Sequence, residues 1–147
     1  MKTQRHLSKV NLLLALASLV CFNHIASAQR PININKVILG TEYVNGEAKG
    51  GYAGSIFSPT DKVIYCAAGI SNPSPDAKYR FVWLAYDPAQ RAEKQIFEQE
   101  LTNQTDKNVV SKLSSPHGFP IGGYRVEVWV DGRRKAQSRF RIMKETN

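Results

Sequence analysis

The chain has 147 residues, 42% hydrophobic and 22% charged, and a formal net charge of +8. That profile is globular, neither that of a disordered chain nor that of a collagen-like repeat. Beyond residue 28 there is one Cys (Cys66) and one His (His117), which excludes a disulfide framework within one chain and a Cys/His zinc cluster.

Lys2, Arg5 and Lys9 precede the apolar run Val10–Phe22, and Ala26-Ser27-Ala28 follows before Gln29. A basic start, a short apolar stretch and a small-x-small site are the parts of a secretory signal. The run falls short of the roughly 20 residues that a membrane-spanning helix requires. The expectation is a cleavable signal peptide over 1–28 and one domain over 29–147, periplasmic or secreted if the source is bacterial. Lipoprotein processing at Cys21 is the alternative, disfavoured by Val20 where a small side chain is wanted. Without the signal, seventeen cations stand against twelve acids, a net +5.

From residue 29 onward no helical period is sustained, and Val, Ile, Tyr, Phe and Trp fall in short alternating runs. The first run, Ile32–Tyr43, changes parity near Asn35-Lys36, as a bulge does or as a strand passing between two sheets does. Asn45–Gly54 reads as a Gly-rich flexible loop. Ser55-Ile56-Phe57 leads into the turn Ser58-Pro59-Thr60-Asp61. A strand over Lys62–Ile70 puts Ile64, Cys66, Ala68 and Ile70 on one face, and Ser71–Asp76 turns the chain. Tyr79–Tyr86 is apolar on both faces and should lie centrally in its sheet. Ala92–Leu101 has helix-favouring composition but little apolar surface at helical spacing. It is read as a strand, with helix as the open alternative, because propensity is a weak prior. A short strand over Asn108–Leu113, a loop over Ser114–Pro120 and a hairpin of Gly123–Val130 with Lys135–Ile142 complete the domain.

Parity constrains that hairpin. Tyr124, Val126 and Val128 share one face, and Ala136, Ser138, Phe140 and Ile142 share one on the returning strand. A two-residue Asp131-Gly132 loop with regular pairing would put Phe140 on the wrong side. The expectation is therefore a three-residue loop, Val130-Asp131-Gly132, pairing Tyr124 with Ser138 and Val126 with Ala136, with Gly132 in the left-handed conformation.

Short strands with frequent turns and no helix fit an all-β, antiparallel two-sheet sandwich. Gly122-x-Tyr124-x-Val126, after a Pro- and Gly-containing loop, resembles the Gly-x-Tyr-x-Cys stretch of immunoglobulin-like domains. Cys66 and Trp83 resemble the buried Cys and Trp of that fold. The resemblance covers most of residues 30–143, and the closing phrase Gly123–Gly132 with Phe140-Arg141-Ile142 is similar to the last hairpin of bacterial exported immunoglobulin-like modules. It implies structural roles for Tyr124, Trp83, Cys66 and Gly132, and a binding, spacing or scaffolding function. Val126 departs from the antibody pattern where the second Cys would stand, so no intersheet disulfide forms and Cys66 becomes a small hydrophobe. A disulfide dimer through Cys66 would need an accessible thiol, against its place between Ile64 and Ala68 on the strand face.

Candidate chemistry is sparse. His117 lies between Pro116 and Pro120 with no Gly-x-Ser-x-Gly elbow anywhere. Glu93, Glu98 and Glu100 sit beside Arg91 and Lys94, an ordinary mixed-charge strand edge. Gly50-Gly51-Tyr52-Ala53-Gly54 lacks the Lys-Ser/Thr of a phosphate loop. No enzyme activity, cofactor or metal is expected. The candidate site is a surface: Arg125, Glu127 and Trp129 face outward if Tyr124 and Val126 face in, with Arg139 and Arg141 on the same side. Arg80, Val82, Leu84 and Tyr86 extend it if the Trp83 strand is in that sheet. Trp, Tyr and Arg dominate binding hot spots, so Arg125, Trp129, Arg139, Arg141 and Tyr86 are the expected contact residues. The same arginines equally keep a sheet soluble. The expected partner is a protein or polysaccharide of the cell envelope, without nucleic acid or membrane span, and the chain a monomer or weak dimer; the alternative is a carbohydrate-binding or inhibitor-type module using the basic, aromatic face of the C-terminal hairpin. Residues 125–147 hold seven cations against three acids, which makes the terminal hairpin the first place to look.

Overall fold

The computed structural model of the protein describes residues 30–50 and 55–144. The expected signal peptide over 1–28, with Cys21, lies outside the described residues, as does the core of the Gly-rich stretch. The described chain is all strand: β1 (Asn33–Gly40), β2 (Glu42–Val44), β3 (Glu47–Lys49), β4 (Ile56–Phe57), β5 (Val63–Ser71), β6 (Tyr79–Asp87), β7 (Ala92–Leu101), β8 (Asn108–Ser114), β9 (Gly122–Val130) and β10 (Arg133–Ile142). They form a three-stranded sheet β1-β5-β8, a five-stranded sheet β4-β10-β9-β6-β7 and a small hairpin β2-β3. The expected two sheets are present with this third, minor one beside them.

The two larger sheets face each other through their period-2 apolar rows. Ile64, Cys66 and Ala68 of β5 are fully buried, as are Phe81 and Trp83 of β6 and Val126 and Val128 of β9. Phe140 lies edge-on to Phe57 and Trp83, with ring centroids 5.6 and 6.0 Å apart, and stacks on Tyr124 at 5.2 Å. These edge-to-face and offset arrangements are favoured by the ring quadrupoles. Inside this core the Trp83 indole N–H donates to the Ser111 hydroxyl at 3.1 Å. The one buried polar side chain of β8 is thereby satisfied.

The parity change in the first strand is a bulge: pairing with β5 shifts between Ile34 and Lys36, and β1 stays in one sheet. Ala92–Leu101 is a strand, paired along β6 at the sheet's edge. Its opposite sheet ends at β8, so β7 overhangs; nearly all its residues are exposed, Phe97 and Ile96 among them. An overhanging strand needs no apolar face, which is why its sequence shows none. Tyr79–Asp87 is central in its sheet, although Tyr86 at its end is 48% exposed.

Three expectations are corrected. The sheet is not antiparallel throughout: β4 pairs with the end of β10 in parallel, Ile56 opposite Arg141 and Phe57 opposite Ile142. The stretch read as a flexible loop from Asn45 begins with the turn and returning strand of a tight hairpin, β2-β3, turned by Asn45-Gly46 with φ of 51° and 81°. Asn-Gly is the residue pair that such two-residue turns prefer. The hairpin packs back against β1 and β5; a Cβ on Gly40 would overlap the Lys49 backbone, and Tyr43 stacks on Tyr65 at 6.0 Å.

The third correction concerns the closing hairpin. Its loop has two residues, Asp131-Gly132, with φ of 49° and 76°, and Val130 pairs with Arg133. The extra residue is Lys135, a bulge between Arg134 and Ala136. Tyr124 therefore pairs with Phe140, and Val126 with Ser138. An added residue restores parity equally well in the loop or in the strand, so the inward set was assigned to the right face with the wrong partners. Gly132 holds the left-handed position in either geometry.

Candidate functional site

The outer face of the five-stranded sheet carries the residues singled out in the sequence. β6 pairs with β9 so that Arg80 lies opposite Trp129, Val82 opposite Glu127 and Leu84 opposite Arg125. β10 brings Arg139 beside Arg125 and Arg141 beside Gly123. β7 adds Glu93 beside Tyr86 and Glu98 beside Val82. The face is one surface, yet its two ends differ in character.

At the hairpin end the charges neutralise one another. Glu127 points outward but is 5% exposed, because its neighbours close over it. It accepts from the Trp129 indole at 2.9 Å and from Arg134 at 2.7 Å, and lies 3.2 Å from Arg125. Burial alone would raise this carboxyl; hydrogen bonds from Arg134 and Trp129 and the charges of Arg125 and Arg134 outweigh it and hold the group below its ordinary value. Arg125 also reaches across Leu84 to Glu93 at 2.5 Å and donates to Gln137 at 3.1 Å. Arg80 covers the Trp129 ring at 4.7 Å from its centroid and pairs with Glu98 at 3.9 Å. Trp129 is accordingly half-buried, not the exposed ring expected, and Arg125 is spent on carboxylates.

The other end is open. Across the sheet one row runs Ile56, Arg141, Gly123, Tyr86, Glu93, with Gly123 facing outward like Arg125. Lacking a side chain there, the sheet has a notch. It forms a groove of about 450 Å³ lined by Ile56, Tyr86, Glu93, Gly123, Arg139 and Arg141, among others. Arg139 and Arg141 are exposed and, among the described residues, join no ion pair. A second recess, about 320 Å³, lies by the Asn72–Ala77 turn, where the cation is Arg30 with Asp76 and Asp131 nearby.

Thus Tyr86, Arg139 and Arg141 are brought together, while Arg125 and Trp129 are held in a separate network. Sequence reasoning missed Gly123 and Ile56 as groove residues. The signal for Gly123 was its parity: it shares the outward set of Arg125 and Trp129.

The residues assigned structural roles lie behind this face. Tyr124 donates its hydroxyl to the Pro120 carbonyl at 2.8 Å, and burial pushes the phenol upward from its usual value. Tyr124→Phe is expected to lower stability by about 1 kcal/mol, the net worth of one hydrogen bond, read as a shifted urea midpoint with an unchanged slope. Cys66 is fully buried and unpaired, and desolvation pushes its thiol far above the usual range. A thiol reagent should therefore label Cys66 only once denaturant has unfolded the domain; labelling at native rates matching free cysteine would contradict its burial. His117 stands exposed on the loop before β9. Among the described residues, no three His, Cys, Asp or Glu side chains are grouped to hold a metal ion, and no helix is long and apolar enough to cross a membrane.

No family model and no curated protein matches the chain. Among solved structures, an immunoglobulin-like protein from Pseudomonas aeruginosa superposes with a TM-score of 0.58 at 15% identity, over 79% of this chain and 99% of that one. An alkylpurine DNA glycosylase from Pseudomonas fluorescens aligns more weakly, with a TM-score of 0.48 at 12% identity, over 80% of this chain and 32% of that one. In this chain a three-stranded sheet faces a five-stranded one, in which β6 with the buried Trp83 lies next to the closing hairpin β9-β10, as the Trp-bearing strand does in immunoglobulin-like sandwiches. The described chain has the fold of an immunoglobulin-like β-sandwich.

Proposed function

We propose that this chain is a non-catalytic, exported immunoglobulin-like module that binds a component of the cell envelope or extracellular space. The contact surface is the open end of the outer sheet face, around Tyr86, Arg139 and Arg141. One observation carries this: on a face whose other arginines are matched to carboxylates, these two have no ion-pair partner among the described residues and lie beside an exposed ring and a glycine notch. The purely solubilising role of surface arginines accounts for scattered charge. It does not account for two such arginines set beside an exposed tyrosine around a glycine-floored groove. Export rests on the basic, apolar and small-x-small segments of residues 1–28. The non-catalytic assignment rests on the sequence, where the one His beyond residue 28, His117 between Pro116 and Pro120, has no nucleophile motif to serve.

The test is affinity capture from the native envelope, separated into protein and polysaccharide fractions. Wild type is compared with Arg139→Glu/Arg141→Glu and with Arg133→Glu/Lys135→Glu at the hairpin tip. Loss of the captured species in the first variant and its retention in the second is the expected result. Equal loss in both would reduce the surface to unspecific basic charge, and equal retention would place the contact elsewhere.

A further inference from the structure

The groove around Gly123 also limits what it can hold. Tyr86 on β6 and Arg141 on β10 flank β9, so their backbones stand two strand spacings apart, roughly 9.6 Å. Between them Gly123 supplies bare backbone: a Cβ built there would meet nothing closer than the Cβ of Tyr86 at 3.9 Å. The opening therefore suits one flat or puckered ring set against the exposed Tyr86 side chain. On the far wall Arg139 and Arg141 provide two guanidinium groups, and the Glu93 carboxylate in the groove is already matched by Arg125. The unmatched charge is that of two cations. Guanidinium groups bind carboxylates by paired N–H donors, with directional preference.

An extended acidic peptide is disfavoured by position. The groove lies on the face of the sheet, where β9 is already paired on both sides by β6 and β10. Peptide capture by strand addition requires a free edge and its unpaired backbone groups. A ligand here is held by side chains alone.

Resting on the proposed binding face, we infer that the groove takes an anionic saccharide: a sugar ring packed on Tyr86 with its carboxylate turned to Arg139 and Arg141. The backbone of Gly123 allows the ring its close approach to the sheet. Substituting Gly123 with a larger residue fills the site without touching a charge.

The experiment is an NMR titration of the chain without residues 1–28, using oligogalacturonate, its neutral methyl ester, inorganic phosphate and an oligoglutamate peptide as probes. The expected result is shift changes centred on Tyr86, Gly123, Arg139 and Arg141 with oligogalacturonate, and affinity at least about tenfold lower for the methyl ester. Arg139→Gln/Arg141→Gln and Gly123→Val should each weaken oligogalacturonate at least about tenfold, and Tyr86→Leu about fivefold, with far-UV circular dichroism unchanged; tenfold corresponds to about 1.4 kcal/mol. Phosphate or oligoglutamate binding as tightly as the uronate, indifferent to Tyr86→Leu, would overturn the saccharide in favour of a simple anion site. No shift with oligogalacturonate, while envelope capture still depends on Arg139 and Arg141, would overturn the ligand class and leave the binding face standing. Failure of the capture experiment itself would remove the face, and the inference with it.

Discussion

Trp83→Ala should cost about 3–5 kcal/mol, the range for emptying a buried Trp site, and lower the melting temperature by at least about 12 °C. Trp83 is the largest side chain buried to 0% exposure, on the strand between β9 and β7, with Phe140 against its ring. Its removal leaves both a void and an unpartnered Ser111 hydroxyl. Against a typical domain stability of roughly 5–15 kcal/mol, that is enough to populate the unfolded state. A companion pair separates packing from polarity. Ser111→Ala strands the indole N–H and should cost about 1–3 kcal/mol. Combined with Trp83→Phe, which removes the donor as well, the loss should be smaller than the sum of the single losses. Strict additivity in urea unfolding would mean that the hydrogen bond contributes nothing to the core.

The second large effect is expected at Glu127. Glu127→Ala should cost about 2–3 kcal/mol, below the 3–5 of a fully buried pair, because Arg134 is half exposed and Arg125 keeps Glu93. The pH dependence follows from the lowered pKa. The folded carboxyl ionises below the ordinary 4.5, so the unfolded chain takes up a proton first as pH falls. The stabilisation is complete above about 4.5 and is lost as pH drops through the folded value. Urea midpoints measured at neutral pH and again in acid should converge for wild type and Glu127→Gln. A gap between them that persists or widens in acid would assign the wild-type sensitivity to other carboxylates.

Legibility of the fold followed what each residue pattern encodes. The parity change near Asn35-Lys36 marks an irregularity, because one extra residue flips every later side chain; the pairing of β1 with β5 alone makes it a bulge and not a strand shared by two sheets. The same rule was ambiguous in the closing hairpin, since Lys135 in the strand or Val130 in the loop restores parity alike. The β2-β3 hairpin was hidden for another reason. Its strands have three residues each, and it rests on the outer face of β1 and β5 through Ala48 and the space above Gly40. Segments this short carry almost no period-2 pattern to read, and the stacking partner of Tyr43, Tyr65, lies on another strand.

For the candidate site, alternation gave the outward set but not its internal pairing. Nothing between Glu93 and Arg125 in the sequence announces that one side chain spans Leu84 to reach the other. That pairing decides which arginines remain available. Trp129 was misjudged similarly: its outward position is right, but Arg80 from β6 roofs it.

The overhang of β7 has a dynamic consequence. A strand with one paired edge and little apolar cover belongs to the part of a structure that opens first, well before global unfolding. Its amides on the free side should exchange with deuterium far faster than those of β5 or β9. Glu93 and Glu98 travel with it, so each local fraying withdraws the counterions of Arg125 and Arg80. Glu127 on β9 stays with Arg125 and Arg134, so fraying is expected to uncover chiefly the charge of Arg80. Hydrogen exchange read amide by amide along β7 and β9 should show this edge opening first.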